Sequence, residues 1–384
     1  MYQASQLGPA IIGKHLSHEK PLEAPVPDAT ADATLQSNTR SSDPESLAVS
    51  DKNLLGHIRR LDTLMPDELR LNGLFADFSQ VGGEPHLRDL ALRVRVFREA
   101  LEAWEALHLH SAQGSVQYQT DIARQLRASD MPRAQLREAI RTYDKYRAYI
   151  NDFATHLFPY TAERSPDFTM FHAGFHRAGR GLVFTAGDAQ VPYLLTSIPS
   201  FRKLGCDLPV EVMYLGDADL SPESRARLEA FDNVFTRDMS HMIDDSGWEL
   251  AGWAAKPFAL LMSEFREAMF IDADALFFVN AETLFADEQY LETGTLFFTD
   301  RNAMPESKRT WLTEVLPPPM SHRIQENRLW TGESGHMQDS GVVVVDKWKH
   351  FVPLLLTTRL NGPDRDGNKE EGRRGTYDMV YGKC

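Results

Sequence analysis

The C-terminal part of the chain alternates short apolar runs with segments whose apolar residues recur at helical spacing. Short apolar, β-branched runs bounded by turn residues are typical of buried strands, and the amphipathic segments between them are typical of covering helices. The predicted strands are 181–186, 210–215, 233–238, 268–271, 295–299 and 342–345. The predicted helices are 190–205, 222–231 and 253–265. This alternation predicts an α/β fold with a mostly parallel sheet flanked by helices.

The N-terminal part divides into two regions that differ in composition. Residues 1–52 are rich in Ala, Ser, Pro, Asp and Thr without a persistent apolar period, which predicts a disordered or linker segment. The pattern of residues 53–164 predicts a helical, stem-like extension, whose dispersed charged residues are expected on solvated helix faces. Its predicted helices are 54–65, 87–110 and 120–157, the last interrupted near Met131 and Pro132. Residues 165–384 then form the predicted α/β domain.

Composition excludes some functions and leaves others open. The net charge of −14 argues against non-specific binding of nucleic acid, which requires a basic face. Two cysteines, Cys206 and Cys384, give no disulfide framework, so the redox compartment stays open. We find no apolar run near the length of a membrane span and no N-terminal segment that resembles a signal peptide.

The chemistry of the chain is most concentrated at Asp272 and Asp274, which follow the apolar run 268–271. Residues i and i+2 of an extended chain point to the same face, so both carboxylates are expected at the carboxyl end of a core strand. Acids between apolar runs are costly to bury unless they are paired or hold a metal. Two hard oxygen ligands can hold Mg²⁺ or Mn²⁺ when phosphate oxygens complete the shell. The pattern therefore predicts a metal-dependent nucleotide-sugar transferase, although two surface acids at this spacing also arise by chance.

Four stretches, in order, resemble the fungal α-1,3-mannosyltransferases, Golgi enzymes of the GT-A fold. They are GLVFTAGDAQVPYLLTSIPSFRKLGCDLPVEVMYLGD, WAAKPFALLMSEFREAMFIDADALFFVNAETLF, QDSGVVVVDKWKH and TYDMVYG, and the region that contains them, residues 181–382, is about half the chain. The resemblance implies a GT-A-like, Rossmann-related sheet. It also implies a GDP-mannose donor, Mn²⁺ (or Mg²⁺) as cofactor, retention of the anomeric configuration and a mannose-terminated glycan acceptor.

Carried over by position, the resemblance makes Asp272 and Asp274 the DxD pair. Asp274 would contact the metal, and Asp272 would reach the ribose or a metal-bound water. Lys256, at a predicted helix start, would contact a donor phosphate or the sugar, or else be a solvated lysine. Gly187 and Asp188, after the first strand, would hold the nucleotide, although Asp188 is equally explained as a helix cap.

Asp339 is the candidate catalytic residue. It precedes Ser340, Gly341 and the apolar run 342–345. A carboxylate there would stabilise an oxocarbenium-like sugar or orient the acceptor hydroxyl. The alternative is an aspartate that forms a turn before a strand.

The sequence departs from the family at both ends. Family members normally begin with a cytoplasmic tail and a signal anchor, and they continue past the equivalent of Tyr377–Gly382 with an acidic-lysine-aromatic stretch. Neither is present here. We therefore expect a C-terminally truncated domain on the lumenal side of the Golgi membrane, associated with the membrane only through an anchor outside this chain.

Three other functions compete with the transferase. A haloacid-dehalogenase-type phosphohydrolase also uses an apolar strand followed by DxD, but Ala275 stands where that motif usually has Thr or Val. A decayed transferase that binds nucleotide or glycan without catalysis fits the expected truncation. A GT-A enzyme that uses a UDP-sugar fits the same DxD.

Overall fold

The computed structural model describes residues 51–78, 82–112, 115–162, 168–176, 178–303 and 308–380. Nearly all of the predicted linker 1–52 lies outside these residues. Across the described segments, no helix is long and apolar enough to cross a membrane.

The N-terminal region is a group of amphipathic helices with one small hairpin. Its elements are α1 (Asp51–Leu64), α2 (Glu68–Phe75), α3 (Gly83–His108), the strands β1 (Leu109–Ala112) and β2 (Ser115–Tyr118), α4 (Ile122–Ala128), α5 (Arg133–Leu157) and α6 (Phe168–Phe175). Buried residues of α3, such as Leu90, Val94, Phe97 and Leu101, recur every three or four positions and form one face of the helix. The predicted break of the third helix is confirmed, since Pro132 caps the start of α5.

The C-terminal region is built on a central sheet. Its strands are β3 (Arg180–Thr185), β4 (Val210–Tyr214), β5 (Val234–Asp238), β6 (Glu267–Ile271), β7 (Thr295–Ala303) and β8 (His336–Asp346). In the part of the chain that the structure describes, these six strands lie in the order β5-β4-β3-β6-β8-β7. All pairings among β3, β4, β5 and β6 are parallel, while β8 runs antiparallel to both β6 and β7. The predicted α/β class with a mostly parallel sheet is therefore confirmed.

Helices and short strands surround this sheet. They are α7 (Val191–Lys203), α8 (Pro222–Glu229), α9 (Ala255–Met262), α10 (Glu288–Thr293), α11 (Arg309–Val315), α12 (His322–Gln325), α13 (Arg328–Thr331), α14 (Phe351–Asn361), β9 (Gly367–Asn368), β10 (Arg373–Arg374) and α15 (Thr376–Val380).

Alternate residues of the sheet enter two separate hydrophobic clusters. Leu182 and Phe184 of β3 join α7 on one face of the sheet. Val183 of β3 and Phe270 of β6 join α9 and α14 on the other. Because successive side chains of a strand point to opposite faces, a sheet covered on both faces has strands that are apolar at nearly every position.

The helical region packs against the second of these faces rather than standing apart. Buried residues of α1, α3 and α5 belong to the same hydrophobic cluster as α9, α14 and that face of the sheet. Tyr160 donates from its hydroxyl to the carbonyl of Leu355 in α14 at 2.8 Å. The extension predicted as stem-like thus contributes to the core beneath the sheet.

A buried polar cluster also joins the two regions. The Asp364 carboxylate, 5% exposed, accepts from Nε of Arg359 at 2.8 Å and lies 2.9 Å from Nε2 of His86. The guanidinium groups of Arg93 and Arg359 lie 4.2 and 4.8 Å from the ring centroid of Phe78. Arg93 also pairs with Asp89 at 2.9 Å, so each buried charge of the cluster has a partner, as burial requires.

Asp364 should be essential for stability. Burial disfavours its ionised form, but His86 and Arg359 outweigh that cost and hold its pKa below the usual value. A depressed pKa stabilises the fold above the carboxyl pKa of the unfolded chain, and that stability is lost as pH falls through the folded value. We expect Asp364→Asn to lower the free energy of unfolding by about 3 kcal/mol at neutral pH, and to flatten its fall towards acid pH. Denaturant unfolding at several pH values measures both effects.

The matched control for Asp364 is Glu102→Gln, which removes the exposed partner of Arg98. This change should alter stability by less than about 0.5 kcal/mol. Equal effects of the two substitutions would contradict the role assigned to the buried cluster.

Candidate functional site

The DxD acids lie in a turn at the carboxyl end of β6. The strand ends at Ile271, and the Ala275 amide donates to the carbonyl of Asp272 at 2.9 Å. Asp272 is half-buried and Asp274 is exposed, with buried Ala273 between them. Both acids sit at the predicted end of the strand, but the expected extended geometry is wrong, because a turn separates the two side chains.

Lys256 is the immediate partner of Asp272. It lies in the first turn of α9, and its Nζ is 2.7 and 2.8 Å from the two carboxylate oxygens. The same ammonium donates to Oγ of Ser340 at 3.2 Å and lies 5.5 Å from the ring centroid of Phe270. Because only 15% of the lysine side chain is exposed, the pair is largely withdrawn from solvent.

The site holds more negative charge than Lys256 neutralises. The pKa of Asp272 is raised, chiefly because burial disfavours its ionised form. The ammonium of Lys256 opposes this shift, whereas Asp274 and Asp339 add to it by repulsion. Asp272, Asp274 and Asp339 therefore act on one another electrostatically, and the region favours an additional cation.

A bulge in β8 brings Asp339 to this place. Phe297 of β7 pairs with Val343 of β8, but the next residue of β7, Phe298, pairs with Asp339. Residues 340–342 of β8 therefore have no pairing partner in β7. The alternative interpretation, that Asp339 forms a turn before the strand, is wrong, because this residue lies within β8, at the bulge. Bulges redirect side chains and are frequent beside active sites.

Gly341 fixes the spacing of two carboxylates. Its amide donates to Oδ1 of Asp339 at 2.6 Å, and its carbonyl accepts from the amide of Asp272 at 2.8 Å. A Cβ at this position would lie 3.0 Å from Oδ1 of Asp339 and 3.6 Å from Oδ2 of Asp272. The absence of a side chain here lets the two acids approach the same peptide.

Gly187 and Asp188 lie on the same edge of the sheet, after β3. Since β3 and β6 are parallel neighbours, their carboxyl ends are adjacent. Asp188 accepts from both the amide and the hydroxyl of Ser221 at 3.0 Å, and its pKa is lowered by hydrogen bonds from Ser224 and Ser221. Gly187 packs against the side chain of Asp219, which a Cβ would strike. These contacts tie β3 to the start of α8, so the structure brings Lys256, Asp272 and Asp339 together but not Asp188.

The donor set fits a metal that is shared with a ligand. In the segments with described coordinates, no group of three or more His, Cys, Asp or Glu residues is arranged to hold a metal ion. Asp274 is exposed, whereas both oxygens of Asp272 contact Lys256. Mg²⁺ is commonly held by one or two carboxylates together with substrate phosphates and water. Asp274, with Asp272 beside it, fits that arrangement and not an all-protein cage.

A cavity of about 510 Å³ lies away from this site, at the amino-terminal ends of β4 and β5. Its lining includes Asp207, Asp232 and Asn233, which precede β4 and β5. It contains none of the predicted site residues. We place the site at the carboxyl ends of the parallel strands, because the mutually repelling carboxylates of Asp272, Asp274 and Asp339 lie there.

Ser340 and Gly341 are the site residues that the sequence interpretation passed over. A glycine beside an apolar strand pattern often marks a bulge or a close approach of the backbone. Gly341 therefore indicated a bulge in the sequence. Its contact with Asp272 could not be inferred, because β6 lies about seventy residues earlier in the chain.

A family model described as "Mannosyltransferase putative" matches residues 179–379, more than half of the 384-residue chain. The matched segment contains β3 to β8 and every residue of the site described above. The chain therefore belongs to this family, and the resemblance noted in its sequence is confirmed.

Among its relatives, the alpha-1,3-mannosyltransferase MNN1 of Saccharomyces cerevisiae is 26% identical over 233 residues, which cover 48% of this chain and 30% of the relative. The alpha-1,3-mannosyltransferase MNT3 of the same yeast is 28% identical over 218 residues, covering 48% and 34%. The chain thus spans about a third of the length of the curated relatives it matches. A solved bifunctional glycosyltransferase, WbbM, is 13% identical with a TM-score of 0.32, over 50% of this chain and 35% of the other.

Gly341→Ala should disturb the site more than the fold. The added Cβ crowds Oδ1 of Asp339, so that carboxylate must move away from the Gly341 amide. We expect a loss of about 1 kcal/mol in the free energy of unfolding. A crystal structure of the variant should show Asp339 displaced.

Gly174→Ala is the control for this substitution, because a Cβ on that residue of α6 meets open space. It should leave stability unchanged or raise it slightly. An undisturbed Asp339 in the Gly341→Ala variant would refute the spacing role of Gly341.

Proposed function

We propose that this chain carries the donor site of a retaining, metal-dependent α-mannosyltransferase that uses GDP-mannose. The observation that carries the proposal is the Lys256–Asp272 pair, with Asp274 and Asp339 beside it, at the carboxyl edge of the sheet. It lies within the segment that matches the mannosyltransferase family. The relatives named above are alpha-1,3-mannosyltransferases, which makes α-1,3 the proposed linkage.

The charges of the site suit a sugar diphosphate only with an additional cation. Asp272 pairs with one lysine while two further carboxylates repel it, and a diphosphate would add further negative charge. A divalent Mn²⁺ or Mg²⁺ held by Asp274, with Asp272 next to it, would neutralise the leaving diphosphate. The exposed position of Asp274 leaves its carboxylate available for this role.

Lys256 is poised to change partners. Its ammonium is bound to Asp272 and Ser340 at 2.7 to 3.2 Å. Its place in the first turn of α9 also puts it where backbone amides favour anions. We assign it to the donor phosphates or the sugar hydroxyls.

Asp339 is the proposed catalytic residue. One of its oxygens, Oδ1, is held by the amide of Gly341, so the carboxylate has a fixed position. In the reaction, the bond from the anomeric carbon to the diphosphate breaks and a bond to the acceptor oxygen forms, while the acceptor hydroxyl passes its proton to the departing diphosphate. A fixed carboxylate would stabilise the positive charge on the sugar or orient the acceptor hydroxyl.

Only the resemblance to the family supports a proposal for the acceptor and the compartment. We propose a mannose-terminated glycan of a glycoprotein as acceptor, and action on the lumenal side of the Golgi membrane. Gly187 and Asp188, at the neighbouring strand end, are proposed to border the nucleoside.

Donor binding should depend on the metal and on both charges. We expect GDP-mannose to bind with Mn²⁺ and at least tenfold more weakly without it, because the carboxylates repel the diphosphate. Asp274→Asn should remove the metal dependence, and Lys256→Met should weaken binding about tenfold or more. Calorimetric titration with and without Mn²⁺ measures this, with UDP-glucose as the competing nucleotide sugar.

Glu138→Gln, an exposed change on α5, is the matched control and should bind the donor as the unmodified chain does. Equal binding with and without Mn²⁺ would overturn the metal role. Binding of UDP-glucose in preference to GDP-mannose would overturn the donor assignment. Absence of binding by any nucleotide sugar would overturn the proposed donor site in this chain.

Asp339→Asn should separate catalysis from donor binding. The amide keeps the size of the side chain but not its charge, so we expect turnover to fall by about 10²- to 10⁴-fold. The dissociation constant for GDP-mannose should change less than about threefold. Transfer of radiolabelled mannose to an α-mannoside, alongside calorimetry, gives both numbers, and a turnover within tenfold of the unmodified chain would exclude the catalytic role.

A further inference from the structure

Three tryptophans of the region that matches the family have different environments. Trp248 packs against Phe258, with ring centroids 5.5 Å apart, and joins the core beneath the sheet. Trp330 is half-buried, and the guanidinium of Arg309 lies 5.3 Å from its ring centroid. Trp253, by contrast, is 81% exposed, more than any other Trp, Tyr or Phe side chain in the described residues.

The backbone around Trp253 is nevertheless firmly held. Gly252–Ala254 form a 3₁₀ turn that continues directly into α9, and the amide of Ala255 bonds back to the carbonyls of Gly252 and Trp253. The adjacent Ala254 and Ala255 are buried in the core. An indole fixed at its backbone and open to solvent loses little conformational entropy when a ligand covers it.

Trp253 also lies on the same helical segment as Lys256. Trp253 and Lys256 are three residues apart in one continuous helical segment, so their side chains share a face. The ammonium of Lys256 reaches Asp272 at 2.7 Å and Ser340 at 3.2 Å. Trp253 therefore lies one helical turn before the lysine that binds these two residues, at the N-terminal end of the same helical segment.

The combination of groups is the one that a hexopyranose requires. A sugar ring presents hydroxyls at its rim, which carboxylates, ammonium and hydroxyl groups bind, and an apolar C–H face, which an aromatic ring covers. Asp339, Ser340 and Lys256 supply the polar partners, and Trp253 supplies an apolar ring. A surface for a protein partner would instead need a wide apolar patch with few charges at its centre.

We propose that Trp253 is the platform on which the acceptor sugar stacks, which makes it a specificity-determining residue for an α-mannoside. This assignment rests on the proposed transferase function and adds the acceptor side of the same site. Lys256 then stands between the donor, at the carboxylates, and the acceptor, at the indole.

Trp253→Ala should weaken binding of α-mannobiose about tenfold, the effect expected from losing the burial of one aromatic face. Trp253→Phe should retain most of the affinity, because a smaller ring still covers the sugar. Saturation-transfer NMR and tryptophan fluorescence, with Mn²⁺ and GDP present, measure the dissociation constants. Phe235→Ala, an exposed aromatic change on the edge strand β5, is the remote control and should have no effect.

Kinetics with the complete donor separate this role from a general loss of structure. Trp253→Ala should raise KM for the mannoside about tenfold, while the dissociation constant for GDP-mannose stays unchanged. Equal mannobiose affinity in Trp253→Ala and the unmodified chain would overturn the proposal. Loss of GDP-mannose binding by the variant would also overturn it, since the indole would then serve the donor.

The two proposals fail in distinguishable ways. If the unmodified chain binds mannobiose through Trp253 but binds no GDP-mannose, the sugar platform stands and the donor assignment falls. If it binds GDP-mannose but no mannobiose, the donor site stands and the platform is refuted. Self-association abolished by Trp253→Ala, without mannoside binding, would assign the indole to a protein contact and refute the platform as well.

Discussion

The ion pair between Lys256 and Asp272 is the interaction on which the arrangement of the site depends. It joins the start of α9 to the end of β6, and through Ser340 it reaches the bulge of β8. Three separate parts of the chain are thereby fixed around one ammonium group. The remaining acids leave the region short of positive charge, because burial and repulsion from Asp274 and Asp339 raise the pKa of Asp272. A site whose acidic groups outnumber its cation is suited to a ligand that brings a further cation with it.

The helical region provides the rigid support beneath this edge. Its helices share a hydrophobic cluster with α9 and α14. The helix that carries Lys256 is therefore held both by this packing and by the ion pair with Asp272. The paired charges of Arg359, His86 and Asp364 connect the region to the loop after α14. Such buried, mutually satisfied groups tolerate little displacement, since any loss of geometry leaves a charge unpaired. Placement of the site is therefore a property of both regions together.

Much of the fold follows from local pattern. Strands and helices between residues 181 and 271 appear within a few residues of their predicted bounds, because apolar periodicity and the Gly and Pro signals around it are local properties. The run 342–345 was predicted as a strand, but four consecutive valines do not indicate whether that strand is parallel or antiparallel to its neighbours. Whether a buried strand runs parallel or antiparallel is decided by the connection that leads to it and by its neighbours. The hairpin of β1 and β2, which is short and polar, carried no usable periodicity.

The sequence by itself determined the class of fold, the family and the DxD acids, because motif order and apolar patterning can be identified without any knowledge of tertiary contacts. It also marked Lys256 and Asp339 as candidates. Only the tertiary structure decided that these residues meet, since they lie on different elements and are joined by a bulge that inserts residues into β8. It likewise assigned Asp188 to a bond with Ser221 and distinguished exposed Trp253 from buried tryptophan. Residue type sets what a side chain can do, but packing sets which partner it has and how much water reaches it.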